Sequence, residues 1–173
     1  MSSVLAQKLD KKKLIQLIGV DPQGVGALAR EDEAAKWTLV TIVKSPPPPD
    51  SGRFFRSLKD HVDSPDKKAS YLTMVAELCS AIEVDDYQAA IKVGTVRVKA
   101  AHRFDYGCHK HAVWELKASK KDRIYFYSHT SQRLIFLLMA YHKKDEQTPK
   151  DVCNACEKDI RQILDPKCKI NFC

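Results

Sequence analysis

The feature that most constrains the fold is a change of hydrophobic period near residue 95. From there the sequence alternates with a period of two in four segments: 95–104 (TVRVKAAHRF), 111–119 (HAVWELKAS), 123–130 (RIYFYSHT) and 133–143 (RLIFLLMAYHK). Alternation of this kind is typical of strands whose two faces meet different surroundings. The connections are only a few residues long, and short connections join antiparallel neighbours. The pattern therefore predicts an antiparallel meander of three or four strands.

Apolar residues at helical spacing dominate most of the remaining chain. They predict helices at 4–18, 27–36, 52–62, 64–83 and 148–164. The helix at 64–83 begins at a Ser64 cap with Pro65 in its first turn. The β-branched segment 37–45 (WTLVTIVKS) predicts one more strand, and the proline run at 46–50 is interpreted as a stiff connection in preference to an SH3-type ligand. This order predicts an α+β protein, with a helical hairpin and a C-terminal helix packed on the sheet.

Positive charge is concentrated in the predicted meander. The chain carries +7 overall, whereas residues 91–144 hold twelve lysines and arginines against three acids, and five of the six histidines as well. A basic window of this kind favours a phosphate-rich partner, although a solvated lysine-rich surface has the same composition. No stretch resembles an export signal and the longest apolar run, 134–141, is too short to cross a bilayer, so we expect a cytoplasmic protein.

Strand alternation predicts which side chains share a face. Arg123 and Tyr125 point to one side of their strand, and Glu115 and Lys117 share a face of the preceding one. We expect one sheet face to be apolar and the other to be solvated and to carry these polar and aromatic groups. The last strand then ends in a basic run that would suit a phosphodiester backbone with stacked bases: His142, Lys143 and Lys144.

Cysteines offer a competing interpretation. Cys153 and Cys156 have the spacing of a zinc knuckle, and Cys168 and Cys173 could complete four ligands, with further candidates at 108–111 (CHKH). The spacing of the second pair is wider than usual, and Cys156 also falls on the apolar stripe of its predicted helix. We therefore expect no metal, with a zinc-stabilised nucleic-acid-binding module as the alternative.

Several of these segments together resemble the RelE/ParE toxin superfamily, in particular its HigB-like, phage-derived branch. The resemblance is carried by VWELK (113–117), DRIYFY (122–127), an apolar strand running into AYHKK (140–144), and TPKDVCNACEKDIRQIL (148–164). It covers about residues 37–165, because the strand at 37–45 and the helical hairpin fit the family's usual beginning. The chain departs from the family pattern at Lys117, where arginine is usual, at Asp122, where tyrosine is frequent, and after Lys144.

The resemblance implies three parts of the chain. Residues 1–36 would be an N-terminal helical extension, 37–165 a RelE-like toxin domain with a small antiparallel sheet, and 166–173 a cysteine-containing tail. It also implies a toxin of a type II toxin–antitoxin system: a ribosome-associated endoribonuclease that cleaves mRNA by metal-independent attack of the 2′-hydroxyl, without a cofactor. Its partners would be mRNA on the ribosome and a helix-turn-helix antitoxin.

Roles can be assigned to residues in that register. Arg123 and Lys143 would stabilise the phosphate, and His142 or Lys117 would transfer protons. The RNA contacts would come from Tyr125, Tyr141, Lys121 and Lys144. The alternative is a ParE-like or inactive relative that acts by binding a protein, such as a topoisomerase or its antitoxin.

Overall fold

The computed structural model describes residues 3–21, 35–44 and 51–173. This part of the chain is a mixed α and β protein in which five α-helices accompany a seven-stranded sheet. The strands are β1 (Ser3–Lys8), β2 (Thr38–Val43), β3 (Arg97–Tyr106), β4 (His109–Lys117), β5 (Asp122–His129), β6 (Leu134–His142) and β7 (Lys169–Phe172). The helices are α1 (Lys11–Ile18), α2 (Arg53–His61), α3 (Pro65–Ala81), α4 (Tyr87–Ile91) and α5 (Lys150–Leu164).

The sheet has the order β3-β4-β5-β6-β2-β1-β7. Strands β3 to β6 form the predicted antiparallel meander, and β2 joins β6 in parallel. β1 then pairs antiparallel with β2, and β7 pairs parallel with β1. Both chain ends therefore contribute strands to the same sheet as the meander.

The predicted helix over 4–18 is wrong in its first part. Residues Ser3–Lys8 are a strand, with Val4 and Ala6 buried between more exposed neighbours, and α1 begins only after Asp10. The Asp10 carboxylate accepts a hydrogen bond from the Lys13 backbone N–H at 2.6 Å, which caps the helix there. Strand β7 and helix α4 were not predicted. Residues 27–34 of the second predicted helix and the proline run lie outside the described residues.

Helices cover both faces of the meander. One apolar core lies between the sheet and helices α1 to α4, and the second lies between the sheet and α5. Tyr125 and Tyr127 belong to the second core, together with Cys156 and Ile160 of α5. The expectation of one solvated sheet face is therefore wrong, because the apolar stripe of α5 packs on the face that carries these tyrosines. None of the helices in the described ranges is long and apolar enough to span a membrane.

Helix α2 takes the place of a strand beside the second half of β6. Pairing between β2 and β6 ends at Val40↔Phe136, and α2 begins directly after Gly52. Gly52 has a positive φ of 125° and lies against the backbone of Ile42, where a Cβ would clash. The Ser57 hydroxyl accepts a hydrogen bond from the Ala140 N–H at 2.8 Å, which satisfies a β6 backbone group. The end of α2 therefore lies beside the end of β6.

Candidate active site

Basic side chains converge where β3 and β5 begin and β4 and β6 end. The meander brings these four strand ends to one edge of the sheet, through the pairs Arg97↔Lys117, Lys117↔Arg123 and Asp122↔His142. We call this edge the basic end; its cations are Arg97, Lys99, Lys117, Lys120, Lys121, Arg123, Lys143 and Lys144. Their convergence follows from the topology, since the antiparallel turns return the chain to the same edge.

A single buried acid faces three of these cations. Glu115 is fully buried, and its carboxylate lies 3.3 Å from Arg123 Nε, 3.4 Å from Lys99 Nζ and 3.7 Å from Lys143 Nζ. Arg123 and Lys143 are buried as well, with exposures of 4% and 2%, while Lys99 is largely exposed. Charges removed from water depend on such partners, so removal of Glu115 would leave Arg123 and Lys143 without their shared counter-charge. We refer to Glu115, Arg123 and Lys143 as the buried ion cluster.

Arg123 directs its guanidinium into the protein. Nη1 donates to the carbonyls of Ser119 and Asp122, both at 2.8 Å, and Nη2 donates to the carbonyl of Lys120 at 2.8 Å. Ser119 and Lys120 lie in the turn between β4 and β5, and Asp122 is the first residue of β5. The sequence predicted that Arg123 binds phosphate on a solvated face. In the structure, Arg123 is buried and its guanidinium fixes this turn.

Lys143 is similarly enclosed. Its ammonium donates to the backbone carbonyl of Glu146 at 3.1 Å, which ties the end of β6 to the following loop. Burial lowers the pKa of Lys143 below its ordinary value; Glu115 opposes this effect, and Arg123, Lys99 and Lys117 add to it. Of the predicted cations, Lys117 is half-buried, whereas Lys121 and Lys144 are exposed.

Tyr125 is unable to stack on a base. Its ring is fully buried beneath α5, and its hydroxyl hydrogen-bonds to Thr148 Oγ1 at 3.1 Å. Burial raises the pKa of this hydroxyl above its ordinary value. The predicted stacking role of Tyr125 is therefore wrong, and the residue joins β5 to the start of α5.

His142 and Asp122 form a different arrangement on the opposite face of the same strands. His142 Nδ1 lies 2.7 Å from Asp122 Oδ1, and Asp122 Oδ2 accepts a hydrogen bond from the Ser119 hydroxyl at 2.9 Å. The carboxylate is buried, with 7% side-chain exposure, whereas the imidazole is 28% exposed. A carboxylate on one ring nitrogen fixes the ring orientation and leaves the second nitrogen for a substrate. We call this pair the His142–Asp122 dyad.

His61 was missed by the sequence analysis. It ends α2, and its ring lies against Tyr141 with the centroids 4.6 Å apart. Burial lowers the pKa of His61 below its ordinary value of 6.5, and the nearby His142 contributes in the same direction. His61 is the one histidine outside the basic window, and the contact between α2 and β6 places it against Tyr141, the residue before His142. Only the position of His61 at the end of a short predicted helix could have hinted at this.

The four candidate zinc ligands do not form a metal site. Cys153 and Cys156 are buried on α5, and burial raises the pKa of Cys156 to about 12, which disfavours the thiolate that a metal requires. Cys168 and Cys173 lie in the C-terminal segment around β7. Among the residues that the structure describes, no group of three or more histidines, cysteines or acids is placed to hold a metal ion.

The basic end thus combines two groups of different character. The buried ion cluster is enclosed by the protein, while the imidazoles of His142 and His61 are partly exposed and Lys121 and Lys144 are exposed. Two imidazoles beside a positive surface can move protons and attract a phosphodiester. Comparison of the chain with models of protein families, with curated proteins and with solved structures gives no match.

Proposed function

We propose that the protein is a metal-independent endoribonuclease of the RelE/ParE type, acting as the toxin of a toxin–antitoxin pair. The observation that carries this proposal is the half-exposed His142, held at 2.7 Å by the buried Asp122 at the basic end of the sheet. The mixed α and β architecture of the described residues is compatible with the fold class that the sequence resemblance implies. The site supports RNA cleavage, and the resemblance supplies the biological setting.

Two imidazoles supply the proton transfers in the proposed reaction. Cleavage of RNA by its own 2′-hydroxyl requires a base for that hydroxyl and an acid for the leaving 5′-oxygen. His61 is suited to accept the first proton, because its lowered pKa leaves it uncharged at neutral pH. His142 is suited to deliver the second, since Asp122 holds its ring in one orientation. The new bond joins the 2′-oxygen to phosphorus and leaves a cyclic phosphate on the upstream fragment.

Exposed cations at the basic end would hold the RNA. Lys121 lies in the turn before β5 and Lys144 follows β6, so both flank the dyad, and Lys117 lies one strand further along. Such cations attract a phosphate chain and offset the charge that develops on the reacting phosphate. Tyr141, packed on His61, is placed to orient a nucleotide or the histidine itself.

Three residues assigned from sequence act differently in this proposal. Arg123 and Lys143 shape the end of the sheet through the buried ion cluster, and Tyr125 anchors the start of α5. Their contribution to catalysis would be indirect, through the position of the turn that carries Asp122.

A second candidate function is suggested by the same burial. Because Arg123, Lys143 and Tyr125 are enclosed, fewer charged groups are available to a substrate than the sequence suggested. A ParE-like relative that acts only by binding a protein, such as a topoisomerase or a helix-turn-helix antitoxin, would need no free catalytic groups. RNA cleavage discriminates the two functions directly.

The test uses the purified chain in a translating extract that contains a defined mRNA. The proposal predicts mRNA fragments ending in a 2′,3′-cyclic phosphate, formed equally when a chelator binds free zinc, manganese and other transition metals. Asp122→Asn should reduce cleavage at least about a hundredfold, because the amide no longer fixes His142 as the carboxylate does. Asp145→Asn is the matched control, since Asp145 is an exposed acid in the loop that follows the dyad. Growth inhibition on expression without mRNA cleavage would favour the protein-binding function.

A further inference from the structure

Strands β4 and β5 separate at the edge of the sheet opposite the basic end. Their pairing runs from Lys117↔Arg123 to Trp114↔Phe126 and stops there. β4 begins at His109 and β5 continues to His129, so each strand has residues that are not paired with the other. The gap between them is a cleft that β3 and β6 border on the outside.

Two irregularities in the neighbouring strand pairs lie level with this separation. The register of β3 against β4 shifts between Ala100 and His102, and the register of β5 against β6 shifts between Tyr125 and Phe126. Bulges bend a strand and increase its local twist. One such irregularity lies on each side of the last β4–β5 pair, at the level where β4 and β5 stop pairing. The cleft is therefore built into the sheet.

The cleft has a volume of about 770 Å³. This lies within the range of about 300 to 1,000 Å³ that is usual for small-ligand sites. The described residues that line it include Arg103, Lys110 and three histidines, and none of them is an acid. Such a lining selects a ligand that carries negative charge.

Aromatic groups form the walls of the cleft. His111 Nδ1 lies 3.2 Å from the Tyr127 hydroxyl, so these two side chains bridge the gap between β4 and β5 on the side of α5. On the other side, the half-buried Trp114 lies beneath the guanidinium of Arg103, which is 5.9 Å from the centre of the indole ring. Gln88 of α4 also lines this side and adds an amide that can both donate and accept hydrogen bonds.

We propose that this cleft binds a nucleotide of a single-stranded nucleic acid. The base would stack on Trp114 and hydrogen-bond to Gln88, and the phosphate would lie against Arg103 and Lys110. Flat rings beside cations are the usual means of holding single strands, because every base offers a face for stacking. This inference deepens the proposed function: the same RNA strand would be gripped here and cut at the basic end.

Binding to the cleft can be measured independently of RNA cleavage by tryptophan fluorescence, because the cleft contains one of the two tryptophans of the chain. Trp37 is buried and donates its indole N–H to the Asp85 carbonyl at 3.0 Å, whereas Trp114 lines the cleft. Stacking of a base should quench the fluorescence of Trp114. The probes are adenosine monophosphate, adenosine and inorganic phosphate, and the expected order of affinity is the nucleotide first, with adenosine and phosphate each weaker.

Variants then divide the site into its two parts. Trp114→Ala should weaken binding of the nucleotide about five- to 150-fold, as measured by calorimetry, because base stacking on an aromatic ring is lost. Arg103→Ala combined with Lys110→Ala should lower the affinity for the nucleotide to that for adenosine; both side chains are exposed, so the fold should not change. Lys92→Ala, an exposed cation outside the cleft, is the control.

His142→Ala keeps this test separate from the test of the catalytic proposal. The inference predicts that this variant binds the nucleotide as the parent does, although it no longer cleaves RNA. Nucleotide binding by a parent chain that cleaves no RNA would overturn only the proposed function. Absence of nucleotide binding to the parent chain would overturn the inference even if RNA were cleaved. The inference would also be overturned by equal binding of adenosine and its monophosphate, or by quenching that persists in Trp114→Ala.

Discussion

The dyad and two members of the buried ion cluster are direct neighbours in the sequence, since Asp122 precedes Arg123 and His142 precedes Lys143. Asp122 and His142 face the side of α2 and α3, whereas Arg123 and Lys143 lie in the buried ion cluster with Glu115. His142 remains 28% exposed, while Arg123 and Lys143 are buried; Arg123 donates through both Nη atoms to backbone carbonyls and Lys143 donates to the Glu146 carbonyl, whereas Arg123 Nε faces Glu115 without a hydrogen bond. Adjacent charged residues therefore serve different purposes, and their surroundings decide which.

The difference arises from what covers each face. Helix α5 and the loop before it close over one face, where Thr148 of the loop hydrogen-bonds to Glu115 and Tyr125. On the other face, α2 ends at His61, so the end of β6 is only partly covered. From sequence alone, basic residues at the end of a strand can be exposed to solvent, bind a ligand or be buried. The packing of the next element decides which of these applies.

The largest effect is expected when Glu115 is removed. Glu115→Ala leaves Arg123 and Lys143 buried without their shared counter-charge, and breaking such a buried pair costs about 3 to 5 kcal/mol. The measurement is the free energy of unfolding in urea. Glu146→Ala is the control, because that exposed residue contacts Lys143 only through its backbone carbonyl. Equal stability of the two variants would show that the cluster does not support the fold.

Arg123 and Arg133 provide a comparison of the same charge in two settings. Arg123→Ala removes three hydrogen bonds to the β4–β5 turn, and hydrogen bonds from charged groups contribute about 1.5 to 3 kcal/mol each, so we expect a loss of more than about 2 kcal/mol. Arg133 is exposed and pairs with the exposed Asp85, so Arg133→Ala should change stability by less than about 1 kcal/mol. Thermal unfolding of both proteins measures the contrast. A fully stable but inactive Arg123→Ala protein would instead restore the catalytic role predicted from sequence.

Histidines should make the protein less stable in mild acid. Burial lowers the pKa of His61, His111 and His129 below 6.5 in the folded chain. The unfolded chain therefore binds more protons, so the free energy of unfolding should fall as the pH decreases through 6.5 toward the folded pKa values. Urea denaturation at pH 7.5, 6.5 and 5.5 measures this effect.

Replacing one of these histidines measures its share of the pH dependence of stability. His129→Gln should flatten the pH dependence, because the substitution removes one of the groups whose pKa is lowered by burial. Stability that rises between pH 7.5 and 5.5 would contradict the lowered pKa values.

Exposed lysines at the basic end should have the smallest effects. Lys121→Ala and Lys144→Ala each remove one phosphate contact, which should reduce the slope of log affinity for single-stranded RNA against log salt by about 0.7. The control is Lys92→Ala, outside the basic end. Unchanged slopes in both variants would place the RNA elsewhere on the surface.

Much of the fold follows from local sequence signals. Alternation predicted the four strands of the meander, and the Ser64–Pro65 start and periodic apolar positions predicted α3. Strand β1 was predicted as a helix because Leu5, Leu9 and Leu14 fit a helical spacing. The burial of Val4 and Ala6, which marks the strand, depends on its pairing with β2. The four-residue strand β7 exists only through its pairing with β1, a contact between opposite ends of the chain.

The candidate site was only partly predictable, because its contacts also join residues that are distant in the sequence. His142 and the exposed lysines were identified from their position at a strand end. The partner of His142 was not identified, because Asp122 and His142 are twenty residues apart and meet only through strand register. The burial of Arg123 and Tyr125 depends on where α5 packs, which periodicity does not encode.

The most direct test of this contrast is the rate of RNA cleavage by His142→Ala, measured together with its free energy of unfolding. We predict that cleavage falls about a hundred- to ten-thousandfold, the usual contribution of a positioned acid or base. Stability should change by less than about 1 kcal/mol, because the pair includes a half-exposed partner. Cleavage at the parent rate by this folded variant would contradict the assignment of the chemistry to the His142–Asp122 dyad.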